Sequence, residues 1–181
     1  MELPPVDRIT AGAIGEPGRR TFYLQARSGP QVVTVIVEKQ QVELLSASIL
    51  DILSRVDRET GQGPGDEELQ LEEPVDPLWR VGKLSIGYEE DGDRMLLELE
   101  ELPPEEEADE ELEMQDRPEA EAPDLERIRL WASREQMLAL SRHAASVAAA
   151  GRPRCTFCGN PMDPEGHTCP AMNGHLGPAR R

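Results

Sequence analysis

The sequence predicts an α+β fold in which a largely antiparallel sheet of about six strands is covered by two helices. Six short segments are strand-like, because they alternate apolar and polar residues or are rich in β-branched residues. Two longer segments repeat apolar residues at helical spacing, and the order along the chain is βββα-βββα. We expect an α+β domain over residues 6–150 and a zinc-knuckle-like C-terminal segment with its tail over 151–181.

The first half contains three predicted strands and a helix. A short strand is expected at 8–14, and residues 20–27 alternate apolar and polar side chains as a half-buried strand does. Residues 31–37 are almost continuously β-branched, which indicates a central strand covered on both faces. Residues 38–56 then form an amphipathic helix. Its buried stripe is predicted to be Val42, Leu45, Ile49, Ile52, Leu53 and Val56.

The second half repeats this order. Strands are predicted at 79–88 and 94–99 on either side of an Asp-Gly turn signal, and a third at 125–132. Ser133 is placed as the N-cap of the last helix, with Gln136 completing a capping box. The repeated order raises the hypothesis of an internal duplication, although no repeat of residues accompanies it. The buried stripe of the last helix is predicted to be Met137, Leu140, Ala144, Val147 and Ala148.

Two segments are predicted to lie outside the packed elements. Residues 57–76 are rich in glycine and acids and are interpreted as a mobile loop. Residues 102–124 are almost wholly acidic with interspersed prolines, and charge of one sign at this density predicts disorder.

Charge and cysteine content limit the classes of partner and compartment. The net charge is −17; residues 1–124 carry 11 Lys+Arg and 32 Asp+Glu, whereas residues 125–181 carry 8 and 4. The acidic part repels nucleic acid and anionic membranes, so an anionic partner would have to meet the C-terminal third. Neither a secretory signal nor a membrane-spanning apolar run is found, and the odd cysteine count is typical of a reducing cytoplasm.

The C-terminal segment holds all three cysteines, at metal-ligand spacing. Cys155 and Cys158 form a C-x-x-C loop, and His167 and Cys169 follow with the alternation that lets both side chains point to one centre. Three thiolates and one imidazole form a tetrahedral donor set for Zn²⁺. A segment this short cannot build its own core and needs the metal to fold. His175 is an alternative fourth ligand.

No catalytic constellation accompanies this site in the sequence. Four protein ligands leave a zinc ion no open position for a substrate, and neither a Ser-His-Asp set nor a phosphate-cradling glycine loop can be assembled. His143 lies beside the buried stripe of the last helix and is interpreted as structural. The sequence therefore predicts no catalytic residue and no organic cofactor, and it favours a non-enzymatic role.

The pattern C-x-x-C-G-x-P-x-D-P-x-G-H-x-C-P at 155–170 also carries a family resemblance. Together with residues 22–26 and the passage 130–153, it resembles an uncharacterised actinobacterial family known only as a domain of unknown function. The resemblance implies a cytoplasmic protein without an assigned activity. It also implies gene neighbours that are phosphomutase-like and lipid-kinase-like.

Three functions remain in competition at this point. The leading one is a protein-interaction module with a structural zinc site and an unknown protein partner. The second is an accessory or enzymatic role in phosphoryl or small-molecule metabolism, which rests on the implied gene neighbours. The third is nucleic-acid binding through a basic C-terminal group, which the acidic remainder opposes. That basic group consists of Arg152, Arg154, Arg180 and Arg181.

Overall fold

The computed structural model describes residues 1–103, 125–151, 154–162 and 166–172, and within them the predicted α+β class and βββα-βββα order are confirmed. The acidic segment predicted to be disordered lies, from residue 104 onward, outside this description. No helix in the described ranges is long and apolar enough to cross a membrane. The strands are β1 (Arg8–Ile14), β2 (Thr21–Ser28), β3 (Gln31–Val37), β4 (Val81–Glu89), β5 (Arg94–Glu101) and β6 (Arg127–Ser133), and the helices are α1 (Lys39–Arg55) and α2 (Arg134–Ala149).

The six strands form two antiparallel three-stranded sheets, β1-β2-β3 and β4-β5-β6, that are joined at two seams. At one seam the N–H of Leu78 donates to the carbonyl of Thr34 at 2.9 Å, just before the chain enters β4. At the other, the N–H of Leu3 donates to the carbonyl of Arg129 at 3.1 Å, just before β1. The third strand of each half therefore pairs with the segment that begins the other half, and β3 and β6 are not left as open edges.

Two glutamines repeat the same set of contacts in the two halves. Gln41 and Gln136 each accept the N–H of their helix N-cap residue at 2.8 Å. The side-chain amide of Gln41 also donates to the carbonyl of Val81 at 3.2 Å, and that of Gln136 to the carbonyl of Val6 at 2.8 Å. Each helix start is thus tied to the chain that enters the first strand of the opposite half.

The two helices meet at a reciprocal serine pair. The hydroxyl of Ser46 donates to the carbonyl of Ser141 at 2.9 Å, and the hydroxyl of Ser141 donates to the carbonyl of Ser46 at the same distance. Such a contact is its own counterpart under a two-fold rotation, so an approximate two-fold axis passes between α1 and α2. Together with the matching glutamine contacts, it supports the hypothesis of an internal duplication.

A single apolar core collects side chains from all six strands and both helices. Most of each predicted stripe faces it, since Val42, Leu45 and Ile49 of α1 and Met137 and Leu140 of α2 are buried. Val56, predicted as the last residue of the α1 stripe, is instead the extended C-cap residue after the helix. The small side chains of α2 at 144 and 148 are also fully buried, which allows the helix to pack closely.

The predicted mobile loop at 57–76 is packed against the outer face of the first sheet. Leu69 is only 1% exposed, and the side-chain amide of Gln25 donates to the carbonyl of Glu72 at 3.1 Å. Arg8 forms an ion pair with Glu72 at 2.9 Å. Composition alone indicated a free loop, but its few apolar side chains are enough to cover a polar sheet face.

The buried Arg134, at the start of α2, connects this helix to the turn between β4 and β5. Arg134 forms two hydrogen bonds with the carboxylate of Asp93, at 2.7 and 3.2 Å, and donates to the carbonyl of Glu59 at 2.9 Å. Tyr88 donates to the same carboxylate at 2.7 Å. These hydrogen bonds, first from Arg134 and then from Tyr88, lower the pKa of Asp93 to about 2.

We expect Gln136→Ala and Gln41→Ala each to lower the free energy of unfolding by about 1–2 kcal/mol, because each removes a helix cap and a bond to the other half. Urea unfolding measures the change. Gln40→Ala, an exposed substitution in α1, serves as the matched control and should change stability by less than about 0.5 kcal/mol. If Gln40→Ala and Gln41→Ala lowered the free energy of unfolding equally, the role given to Gln41 in joining the two halves would be wrong.

Asp93→Asn should lower the melting temperature at pH 6 and lose this effect as the solution is acidified. A carboxyl whose pKa is depressed in the folded state stabilises the protein above its unfolded pKa of about 3.9, and that stabilisation is lost as the pH falls toward 2. Thermal unfolding of wild type and variant at pH 6, 4 and 2.5 tests this. A difference that stays constant over this range would rule out ionisation as its cause, and Asp91→Asn in the same turn provides the control.

Candidate metal centre

The segment after α2 begins with a tight loop that carries the first two cysteines. The N–H of Cys155 donates to the carbonyl of Asn160 at 2.8 Å, and the N–H of Gly159 donates back to the carbonyl of Cys155 at 2.8 Å. Gly159 has φ +74°, a left-handed conformation that glycine adopts at little cost. The loop therefore folds back on itself directly after Cys158.

Four side-chain donors converge at this loop. One ligand atom from each of Cys155, Cys158, His167 and Cys169 lies within 4.8 Å of the other three. The Sγ atoms of Cys155 and Cys169 are 3.8 Å apart, and Cys158 Sγ lies 3.4 Å from His167 Nε2. A tetrahedral ion with Zn–S bonds of about 2.3 Å separates two sulfurs by about 3.8 Å. The cluster can therefore hold one metal ion, and its donor set is consistent with zinc.

The sulfur separation also distinguishes this cluster from a disulfide. Bonded sulfurs lie about 2.0 Å apart, so Cys155 and Cys169 are in van der Waals contact and all three cysteines are free thiols.

A hydrogen bond orients the imidazole of His167. Its Nδ1 lies 3.1 Å from the carbonyl oxygen of Pro161, an acceptor, so Nδ1 carries the proton. This leaves Nε2 directed at Cys158 Sγ with its lone pair available to a metal when the ring is neutral. The carbonyl of Pro161 acts as the outer partner that commonly fixes a metal-binding histidine, and the spacing of the motif did not predict it.

The electrostatics of the segment favour a thiolate at Cys155 but not at Cys158. The backbone N–H of Asn160 lowers the pKa of Cys158, but burial and the neighbouring Cys169 and Cys155 outweigh it, so that this pKa is raised. The backbone N–H groups of Cys158 and Phe157 lower the pKa of Cys155 to about 6. The pKa of His167 is raised to about 9, mainly by its hydrogen bond with Cys169. A protonated His167 must therefore give up its proton before its Nε2 can bind a metal.

Among the described residues, few apolar side chains hold this segment in shape. Its own apolar cluster consists of the buried residues Cys155, Met162 and Cys169, with Cys158 partly buried against them. Two of these buried side chains are themselves candidate ligands. The donors that would bind the metal are therefore also most of the described core of the segment, so metal binding would be coupled to its folding.

The alternative fourth ligand cannot be placed by the same geometry. His175 lies outside the described residues, whereas His167 lies within the cluster. The choice between the two histidines stays a prediction for the experiment below.

The third histidine lies elsewhere in the fold. His143 is only 7% exposed, and its Nδ1 is 3.2 Å from the carboxylate of Asp66 in the loop that covers the first sheet. This pairing agrees with the structural role predicted for it.

The comparisons with known proteins gave one result. The family described as "Protein of unknown function (DUF3090)" has a model that matches residues 1–169. The match spans both βββα halves and ends at Cys169, so it includes all four donors. The comparisons with curated proteins and with solved structures gave no match.

Metal analysis of the purified protein should find one zinc ion per chain. Cys155→Ser and His167→Ala should each lose it, because three remaining donors bind zinc far more weakly than four. His143→Ala, a histidine substitution away from the cluster, should retain one zinc. Zinc retained by His167→Ala but lost by His175→Ala would assign the fourth position to His175 instead.

Proposed function

The chain belongs to the DUF3090 family of proteins of unknown function, and we propose that it is a non-enzymatic protein-interaction module whose C-terminal segment is held by one structural zinc ion. The donor count supports a structural role for the metal. A catalytic zinc site keeps one position free for water or substrate, whereas four protein donors within 4.8 Å would fill all four positions of a tetrahedral ion.

The exposed aromatic ring of Phe157 is the observation that carries the interaction role. Phe157 lies between Cys155 and Cys158 and is 60% exposed, although both cysteines belong to the donor cluster. Single exposed apolar residues are common, and Leu44 on α1 is equally exposed. Phe157 differs because its loop is fixed at both ends by ligands, so an aromatic anchor is presented with little conformational entropy left to lose.

The partner that fits this loop is a protein with an apolar pocket for one aromatic ring. Aromatic side chains are enriched at the centres of protein interfaces, where the surrounding contacts mainly exclude water. We also propose a cytoplasmic location, because free thiols that serve as metal ligands persist in a reducing compartment. Nucleic-acid binding is weaker as a proposal, because residues 1–124 carry 32 Asp+Glu against 11 Lys+Arg and repel phosphate groups.

Phe157→Ser should weaken partner binding by about 30-fold while leaving the zinc content unchanged, because truncating an aromatic anchor costs about 2 kcal/mol. The measurement is quantitative mass spectrometry of proteins cross-linked to the tagged full-length chain in its own cells. Leu44→Ser, an equally exposed apolar residue on a different surface, is the matched control.

A partner of this site should be lost with both Phe157→Ser and the zinc-free Cys155→Ser variant and kept with Leu44→Ser. If every cross-linked protein is recovered equally with wild type and Phe157→Ser, the interaction role at this loop is wrong.

A further inference from the structure

A small cleft lies between the α+β domain and the C-terminal segment that contains the four candidate metal ligands (residues 154–172), called the zinc segment below. It is lined by three cationic side chains. The cleft has a volume of about 260 Å³, and its charged lining consists of Arg20, Lys39 and Arg154, with uncharged residues completing it. Such a group is unexpected in a chain of net charge −17 that has 36 acidic residues and 19 basic ones. Among the residues that the structure describes, no carboxylate lines the cleft. The three cations therefore favour an anion between them, because they repel one another.

Arg20 is held in place by the domain itself. It precedes β2, its Nη1 donates to the carbonyl of Val147 near the C-terminal end of α2 at 3.0 Å, and its guanidinium lies 5.0 Å from the ring centroid of Phe22. A cation is stabilised at this end of a helix, and stacking on an aromatic ring fixes the plane of the guanidinium. Arg20 is thus already oriented before any ligand arrives.

The other two cations are more exposed and free to adjust. Lys39, the first residue of α1, is 44% exposed and lies 3.3 Å from Glu43, an exposed pair of the kind that contributes little stability. Arg154, at the start of the zinc segment, donates weakly to the carbonyl of Gly159 at 3.4 Å. Both can turn toward an anion at small cost.

We propose that this cleft binds the phosphate group of a small phosphorylated molecule. A volume of about 260 Å³ is below that of most sites for drug-sized ligands, which suits a single anionic group with the rest of the ligand outside. Guanidinium groups match the oxygens of phosphate with paired hydrogen bonds, and lysine adds a point charge. Three cations balance a dianionic phosphate better than a singly charged carboxylate.

The proposed phosphate site depends on the zinc-held fold of the C-terminal segment, because Arg154 belongs to that segment. It does not depend on the proposed protein partner. Arg20 and Lys39 come from the α+β domain, so the ligand would contact both parts of the molecule at once. Bound phosphate would thereby fix the zinc segment against the domain and hold Phe157 in one orientation.

Isothermal titration of the full-length zinc protein with inorganic phosphate and with glycerol phosphate tests the cleft, at constant ionic strength set by sodium chloride. Saturable 1:1 binding of both ligands is expected. Lys39→Gln and Arg154→Gln should each weaken it about tenfold, since each removes a charge-assisted hydrogen bond. Glu43→Gln should leave binding unchanged or tighten it by up to about fivefold, because it frees Lys39 from a competing carboxylate.

Lys83→Gln, which removes an exposed cation from the outer face of the second sheet, should leave the affinity unchanged. Zinc analysis of each variant separates the two proposals, since Lys39 lies outside the zinc segment and Lys39→Gln must keep its metal. Binding that is absent, or that falls equally in Lys39→Gln and Lys83→Gln, would overturn the assignment of this cleft. If zinc analysis finds no zinc in the wild-type protein, the proposed structural metal site is wrong instead.

Discussion

The fold depends on the way each half supplies the strand edge that the other half lacks. Leu3 and Leu78 donate backbone hydrogen bonds to the third strand of the opposite half, and the reciprocal pair Ser46 and Ser141 joins the two helices across the same axis. A three-stranded sheet with one helix would expose an unpaired edge and an apolar face. Neither half alone can pair its strand edges and bury its apolar face. The arrangement of the core and the loops therefore depends on both seams being formed.

The C-terminal segment around the four metal-ligand candidates depends on a different constraint. Among the residues that the structure describes, its buried side chains are Cys155, Met162 and Cys169, and two of them are candidate ligands. In the domain, structure precedes any binding event, whereas in this segment binding would create structure.

The class, the element order and the four converging donors could be predicted from sequence because each rests on local periodicity or spacing. The stripe of α1 and the capping box at Ser133 are patterns within one element. The seams could not be predicted, since nothing in Leu3 indicates a partner more than a hundred residues away. The hydrogen bond from His167 to Pro161, only six residues away, depends on the exact conformation of the loop, which the spacing of the motif does not give. The seams and the cleft at Arg20 were not predicted for a shared reason. Each joins segments that only the tertiary fold brings together.

The places where the two halves differ are therefore the best guide to function. Arg20 and Asp93 occupy matching positions, each immediately before the second strand of its half, and both contact α2. Asp93 forms an ion pair with Arg134, so the two charges on that side of the molecule balance each other. The guanidinium of Arg20 instead lies over the ring of Phe22, and its positive charge lines the cleft beside the zinc segment. Contacts that close the fold recur in both halves, whereas these two matching positions carry charges of opposite sign. A ligand site that arose after duplication would leave this asymmetry.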